Sequence, residues 1–422
     1  MRIPVAVAAA LLLLTAPTPG SEPTAAESPA PTAGGDALVA AVTARALDPA
    51  GPTTAAGTPS GRRLRVDVQP RSTADWGIGA AVLPSFGLPD AYPRAWIFIA
   101  QRVAGRWRVA LEGEPAFREL GAAAPILSAA ERRILSVAGT AAAGTEAARA
   151  GTDSAGTEAG GQGGGGTTTR YGDRRTVIGL PYAEGQSWKL AAGPHSMSSS
   201  GPRSSLDLTG GDGIVRAAAD GVAYTLCGGR GWIRILHARG FATDYYHLRG
   251  NIDVSGRRVT AGTFLGRIGN DVSCGGWSSG AHVHFALLRG GQYLPLDGYA
   301  VGGWTVHTGR SPRTGTLRRG SRVARVGGYL RNYGPQALNQ GVVDAAGRRA
   351  VPLRSGPSHR SRIIDWLPDG ATVSVRCSVR GQAQRGRSPY GTNLWNRLVS
   401  GGYVGDAFLA TGTSGPVRGY CP

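Results

Sequence analysis

Short runs in which apolar and polar residues alternate recur along most of the chain, and this pattern predicts β-strands with one face in a core. The runs in the first third of the chain are Trp76–Leu83, Trp96–Gln101 and Trp107–Leu111. Ala104-Gly105 lies between the last two runs and predicts a hairpin turn. Ser128 and Glu131 have the spacing of a capping box, which predicts a helix after them. These elements predict an α+β N-terminal unit over residues 36–137.

The remaining strand-like runs are shorter and lie between glycine-rich turns. Those of the expected central unit, residues 171–335, are Gly213–Ala218, Gly221–Leu226, Trp232–Leu236, Thr243–His247, Thr263–Ile268 and His282–Leu288. Their near-regular spacing predicts an antiparallel sheet. In the expected C-terminal unit, residues 342–422, about five short strands predict a small barrel. The predicted fold class is therefore mainly β.

Two stretches cannot supply a core. Residues 138–170 consist mostly of Gly, Ala, Thr and Glu, and predict a flexible linker. Residues 1–26 have the charge and the apolar run of a secretory signal peptide, and that run is too short to span a membrane. We therefore expect a secreted protein, extracellular or associated with the cell wall, with no membrane span.

The net charge of +19 indicates attraction to polyanions. The sequence has no basic recognition helix, zinc-finger spacing or ribonucleoprotein motif, so nucleic acid is not the expected partner. For an exported protein, anionic polymers of the bacterial envelope are the expected partner. The alternative is an arginine-rich composition with no partner at all. Nothing in the sequence indicates the oligomeric state.

Four cysteines are present, and none is part of a Cys-x-x-Cys motif. In an exported chain, this number and spacing indicate two disulfides and not a thiolate metal site. Neighbourhood in the sequence pairs Cys227 with Cys274 and Cys377 with Cys421.

Two histidines mark the candidate site. His282 and His284 are two residues apart on a predicted strand, so their side chains share a face, whereas the residues between and after them are apolar. Two imidazoles on one face can share a zinc ion, which takes three protein ligands in catalytic sites. His195, Asp207 and His247 lie upstream as further candidates. The alternative for each is structural: a solvated strand face, a turn-capping carboxylate, a surface loop or a buried histidine.

The order of these motifs resembles a known family. His195, Asp207 in Ser-Ser-Leu-Asp, His247 in Tyr-Tyr-His-Leu and the segment Ser278–Phe285 follow one another as in the lysostaphin and beta-lytic metalloendopeptidase family. The resemblance covers about residues 180–310, and paired cysteines such as Cys227 and Cys274 suit its beta-lytic branch.

The resemblance implies a function and a role for each residue. It implies that His195, Asp207 and His284 bind one Zn²⁺, and that His247 and His282 act on the attacking water and on the developing oxyanion. The family cleaves peptide bonds in bacterial cell-wall cross-links, often at glycine. We therefore expect a zinc metalloendopeptidase that acts on peptidoglycan peptides. The alternatives are a wall-binding protein with an inactive peptidase fold and a secreted protease of glycine-rich proteins.

The two flanking units carry weaker signals. Leu353–Pro357, together with the segments around Trp395 and Tyr403, resembles a bacterial SH3-like domain, a type of domain that attaches hydrolases to the wall. Trp395, Tyr403 and also Tyr245 are candidate wall-peptide contacts, and the alternative is that they belong to a core. The N-terminal unit contains no His or Cys, looks like a prosegment, and is expected to cover the site until the chain is cut between about residues 139 and 175.

Overall fold

The computed structural model describes residues 33–48, 63–86, 92–137, 173–197, 201–386 and 391–422. The predicted signal peptide (1–26) and linker (138–170) lie outside the described residues. The strands pair antiparallel in every sheet, so the predicted mainly β, antiparallel fold class is confirmed. No helix in the described ranges has the length and apolar character needed to cross a membrane.

The N-terminal unit contains one four-stranded sheet in the order β1-β2-β3-β4. Its elements are α1 Ala33–Ala46, β1 Arg65–Val68, β2 Trp76–Leu83, β3 Arg94–Val103, β4 Arg106–Leu111, α2 Pro115–Ala123 and α3 Ala129–Leu135. The predicted hairpin turn is confirmed, because Ala104 and Gly105 both adopt the positive φ that a two-residue hairpin turn requires. The predicted capping box of Ser128 and Glu131 is also present.

Helices α1 and α2 were not predicted. Leu38, Val42 and Ala46 are spaced four residues apart on α1 and are all buried, but the surrounding alanines and glycines give little apolar contrast. Pro115 stands in the first turn of α2, where its missing N–H costs nothing. Both signals were available in the sequence and are weak by themselves.

The central unit is built on a nine-stranded sheet in the order β11-β8-β9-β10-β13-β6-β5-β19, with β14 paired to β13. Smaller sheets are formed by β12 with β7 and by β15 to β18. The strands are β5 Ser187–His195, β6 Ser205–Thr209, β7 Ile214–Arg216, β8 Gly221–Thr225, β9 Ile233–Leu236, β10 Phe241–Tyr246, β11 Ser255–Val259, β12 Phe264–Arg267, β13 Val283–Arg289, β14 Gln292–Tyr293, β15 Ala300–Val301, β16 Trp304–Thr308, β17 Gly315–Arg319, β18 Arg322–Arg325 and β19 Tyr329–Arg331.

The two faces of the large sheet enter different cores. Val283, Phe285 and Leu287 of β13 point into the core of the central unit, as the alternation predicts. Ala286 and Leu288 point the other way and pack with buried residues of β2, β3 and α2. The N-terminal unit therefore covers the face of the sheet on which His284 lies.

A buried charge cluster joins the two units. The Arg234 guanidinium donates two hydrogen bonds to the Asp244 carboxylate, both at 2.7 Å, and a third to Glu112 of the N-terminal unit at 2.9 Å. Burial raises the pKa of Glu112, and the positive charge of Arg234 opposes this rise. The sequence did not predict this cluster, because arginine is seldom fully buried.

The C-terminal unit forms a seven-stranded sheet in the order β22-β21-β25-β24-β23-β20-β26. Its strands are β20 Gln340–Val343, β21 Ala350–Arg354, β22 Ile363–Pro368, β23 Thr372–Gln384, β24 Thr392–Leu398, β25 Tyr403–Gly405 and β26 Leu409–Ala410. The predicted pairings Cys227–Cys274 and Cys377–Cys421 are both confirmed.

Trp395 does not form the predicted wall-peptide contact. Its side chain is buried, and its indole N–H donates to the carbonyl oxygen of Gln382. It shares a face of β24 with the exposed Asn393 and Arg397, so its burial comes from the segment around Gln382 and not from the core of the unit. Tyr403 is half-buried and stays a candidate.

Candidate metal centre

Three neighbouring strands bring the predicted ligands together. β13, β6 and β5 are adjacent in the large sheet, and His284 pairs with Asp207 in the β13–β6 register. His195 is the last residue of β5 and pairs with Ser205. Residues that are far apart in the sequence are therefore neighbours on adjacent strands of one sheet. His195, Asp207 and His284 form a cluster, within the described part of the chain, that could hold a metal ion.

The three ligand atoms converge on one point. His284 Nδ1 lies 2.9 Å from Asp207 Oδ1, and His195 Nε2 lies 3.2 Å from His284 Nδ1 and 3.3 Å from Asp207 Oδ1. Zinc bonds of about 2.0–2.1 Å in tetrahedral geometry place ligand atoms about 3.3 Å apart. The separations therefore suit a single zinc ion.

The protonation pattern also suits a cation. His195 Nδ1 lies 2.8 Å from the carbonyl oxygen of Gly193, to which it donates, so its Nε2 carries a lone pair. That lone pair faces a carboxylate oxygen of Asp207. Two acceptors in contact repel each other, and a shared cation satisfies both. This donor set of two imidazoles and one carboxylate is of the kind that zinc prefers.

Electrostatics keep the ligands in their metal-binding forms. Burial alone would raise the pKa of Asp207, but the neighbouring imidazoles of His195 and His284 hold it well below its usual value. Burial lowers the pKa of His284 to about 4, although Asp207 opposes this shift. A carboxylate and a neutral imidazole are the forms that bind metal. Arg313 Nη1, which the sequence did not single out, contacts the second oxygen of Asp207 at 3.3 Å.

The two predicted catalytic histidines lie beside this cluster. His282 Nδ1 donates to the Gly280 carbonyl and His247 Nδ1 to the Asp271 carbonyl, at 2.7 and 2.8 Å. Both Nε2 atoms therefore carry lone pairs, and that of His282 lies 3.5 Å from Asp207 Oδ1. The His247 and His282 rings are 4.8 Å apart between centroids. Each imidazole is oriented by the backbone and presents one nitrogen to the site.

His247 occupies a strained and dehydrated position. Its φ of +66° lies in the left-handed region, which a non-glycine residue seldom adopts. Burial, with the neighbouring His284 and His282, lowers its pKa to about 3. Its Nε2 has no hydrogen-bond partner in the described structure. Strained residues with perturbed pKa values are concentrated at functional sites.

The Cys227–Cys274 disulfide closes the loop that supports His247. Asp271 of this loop accepts the His247 hydrogen bond, and Gly275 accepts one from the Tyr246 hydroxyl at 2.6 Å. The bridge spans 47 residues, so the chain-entropy contribution to stability is at most about 4 kcal/mol. The disulfide therefore restrains the glycine-rich loop that positions His247.

Tyr245 is not a wall-peptide contact. It is fully buried on the face opposite His284, and its hydroxyl bonds to the Ala218 amide and to Thr243. Neighbouring residues on a strand point in opposite directions, so only Tyr246 faces the site. His237, which matched no motif, is a buried histidine with both ring nitrogens hydrogen-bonded.

The N-terminal unit reaches the site directly. The Tyr92 ring stacks on the His284 ring with centroids 5.5 Å apart. The Ser85 amide donates to the Cys274 carbonyl at 2.9 Å. This hydrogen bond joins the N-terminal unit to the loop beside His247. These contacts could not be predicted, because a single tyrosine or serine in a loop has no recognisable pattern.

The part of the chain that contains these residues is similar to known proteins. Residues 202–295 match the profile of Peptidase family M23. The beta-lytic metalloendopeptidase of Lysobacter enzymogenes is 31% identical over 158 residues, which are 34% of this chain and 86% of that protein. The chain belongs to peptidase family M23. The resemblance expected from the motifs is thereby confirmed.

Two further similar proteins each match about a third of this chain. Protease LasA of Pseudomonas aeruginosa is 35% identical over 156 residues, which are 34% of this chain and 36% of LasA. The match therefore spans about a third of LasA. The solved M23 metalloprotease pseudoalterin is 34% identical, with a TM-score of 0.34, over 36% of this chain and 97% of that structure. The expected enzyme class, a metalloendopeptidase, is confirmed by the family match and by the Lysobacter enzymogenes relative.

Proposed function

We propose that this M23 peptidase is a secreted zinc endopeptidase that hydrolyses glycine-containing peptide bonds in bacterial peptidoglycan cross-links. The observation that carries the proposal is the convergence of His195, Asp207 and His284 on one point, with His247 and His282 beside it. An inactive homologue usually lacks one or more of the three metal positions, and all three are present here. The predicted signal peptide and the two disulfides support secretion.

The residues divide the chemistry between them. His195, Asp207 and His284 would hold the zinc, which supplies Lewis acidity toward water and the peptide carbonyl when bound. The neutral Nε2 atoms of His247 and His282 face the same space. One of these imidazoles accepts the proton of the attacking water and then donates it to the leaving amine. The other takes a proton from solvent and donates a hydrogen bond to the carbonyl oxygen as negative charge develops on it.

The flanking features support a wall substrate. The net charge of +19 favours approach to anionic wall polymers. The C-terminal unit, with its SH3-like sequence motifs, would hold the enzyme on the wall, and Tyr403 remains a candidate contact there. Hydrolysis of glycine-rich proteins is the competing function, because glycine in the scissile bond is common to both substrates.

The test compares the substrates and removes the metal. The purified protein, cut in the 139–175 region, is incubated with cross-linked wall peptides and with an elastin-like peptide of similar length. We expect faster cleavage of the wall peptides, loss of cleavage with a chelator, and recovery on addition of zinc. Cleavage that survives chelation would refute the metal-dependent function. Faster cleavage of the elastin-like peptide would refute the wall substrate.

A further inference from the structure

A cationic cavity lies away from the metal centre. It has a volume of about 340 Å³ and is lined by residues of β16, β18 and β19 and by Tyr333. Arg322, Arg325 and Arg331 are among the lining residues, and all three are exposed. No carboxylate lines the cavity within the described ranges. The described arginines that do form ion pairs are at other positions.

The cavity has an aromatic wall. Trp304 is buried and donates its indole N–H to the Arg331 carbonyl at 2.7 Å. Arg322 Nη1 donates to the Tyr333 hydroxyl at 3.2 Å, which orients this guanidinium beside the ring. Tyr329 is 67% exposed at the rim. The cavity thus offers planar apolar faces beside guanidinium groups.

Positive charge continues along the rim of the cavity. Lys189, the single lysine of the chain, is exposed and pairs with Tyr329 at the neighbouring strand edge. Arg319 is the cross-strand partner of Arg322, but it is buried and lines a separate pocket. The exposed arginines of the cavity therefore carry the positive charge that is offered to an anion.

The cavity and the metal centre are connected by strand β5. Ser187, at the start of β5, lines the cavity, and His195 ends β5. Eight residue steps at about 3.3 Å place the cavity about 25 Å from the metal centre. The two sites are therefore separate, and a rigid strand fixes the distance between them.

We propose that this cavity binds the phosphate groups of an anionic polymer of repeating phosphodiester units linked by a polyol or a sugar. Guanidinium forks match phosphate oxygens in geometry and charge, and the aromatic faces suit the C–H surface of the linking unit. For an exported protein, a wall polymer fits this description better than nucleic acid. The proposal is independent of the peptidase activity.

The test uses the full chain and a poly(glycerol phosphate) oligomer, with affinity measured by calorimetry at about 0.15 M salt. The double variant Arg322→Gln/Arg325→Gln should bind the oligomer at least about tenfold more weakly, because charge-assisted hydrogen bonds are lost. The matched control, Arg257→Gln/Arg258→Gln, removes the same charge from exposed positions on β11 and should change affinity by less than about twofold. Hydrolysis of a short uncharged peptide should be unchanged in both.

Three results would overturn the proposal. Equal weakening in the two double variants would mean that net charge alone attracts the oligomer. Unchanged affinity in the Arg322/Arg325 variant would place binding elsewhere. Tighter binding of a single-stranded oligothymidylate than of the glycerol phosphate oligomer, lost in the same variant, would assign the cavity to nucleic acid.

Discussion

At the scale of single residues, the proposed site separates the groups that would hold the metal from those that would move protons. His282 contacts Asp207 only at 3.5 Å and is held by the Gly280 carbonyl, so it is not needed as a ligand. His282→Ala should therefore retain close to one zinc per chain. Its turnover should fall by about 10²–10⁴-fold, the usual contribution of a general acid or base. Loss of zinc in this variant with full retention in His284→Ala would reverse the two roles.

A second residue-scale prediction concerns His237, which is remote from catalysis. Burial lowers its pKa to about 4, against about 6.5 in the unfolded chain. The folded state thus binds fewer protons, so stability is lost as pH falls from about 6.5 to about 4. The shift corresponds to about 3 kcal/mol. His237→Gln should reduce the loss of unfolding free energy over this interval by about that amount, measured by urea unfolding. An identical pH dependence in both proteins would contradict the assignment.

At the scale of elements, local sequence patterns predicted those strands, turns and helix caps that depend only on residues close together in the chain. β2 has the predicted bounds Trp76–Leu83, and the Ala104-Gly105 turn and the α3 cap follow from local geometry. The site itself depends on the order β13-β6-β5, which no local pattern encodes, and it was predictable only through the family resemblance. Buried Trp395 and Tyr245 were misplaced because an aromatic side chain suits a core and a binding groove equally well.

The contact between Tyr92 and His284 predicts latency at the element scale. The N-terminal unit covers the His284 face of the sheet, and the Tyr92 ring stacks on His284. Tyr92→Ala in the uncut chain should raise the rate of hydrolysis of a short soluble peptide by about 2- to 10-fold, which corresponds to the loss of one aromatic contact. Phe86→Ala is the matched control, because Phe86 is exposed in the same segment and should leave the rate unchanged.

Cleavage between about residues 139 and 175, followed by release of the N-terminal unit, should raise the rate further. Equal rates for the uncut and trimmed proteins on the soluble peptide would rule out latency. The Arg234–Asp244 pair is complete within the central unit, so release of Glu112 does not leave a buried arginine unpaired.

At the scale of the whole molecule, the C-terminal unit is expected to concentrate the enzyme on its substrate. Trp366 on the edge strand β22 is 55% exposed, with Ile363 and Ile364 exposed beside it. Trp366→Ala should weaken binding to intact cell walls at about 1 M salt, where charge attraction is screened. Hydrolysis of a soluble peptide should be unchanged, because tethering raises only the local concentration of the polymer.

Tyr420→Ala is the control for this prediction, since Tyr420 is an equally exposed aromatic residue of the same unit. Wall binding by Trp366→Ala that equals wild type in high salt would show that this strand is not the anchor.

The central claim is that His195, Asp207 and His284 bind one catalytic zinc ion. The most direct test is the zinc content of the purified full chain, measured by mass spectrometry after equilibration with zinc and removal of excess. We predict one zinc per chain for the wild type and for Arg257→Gln. We predict less than about a tenth of that for Asp207→Ala and His284→Ala, because two remaining ligands do not retain the ion. A wild-type chain without zinc, or full zinc content in either ligand variant, would contradict the account.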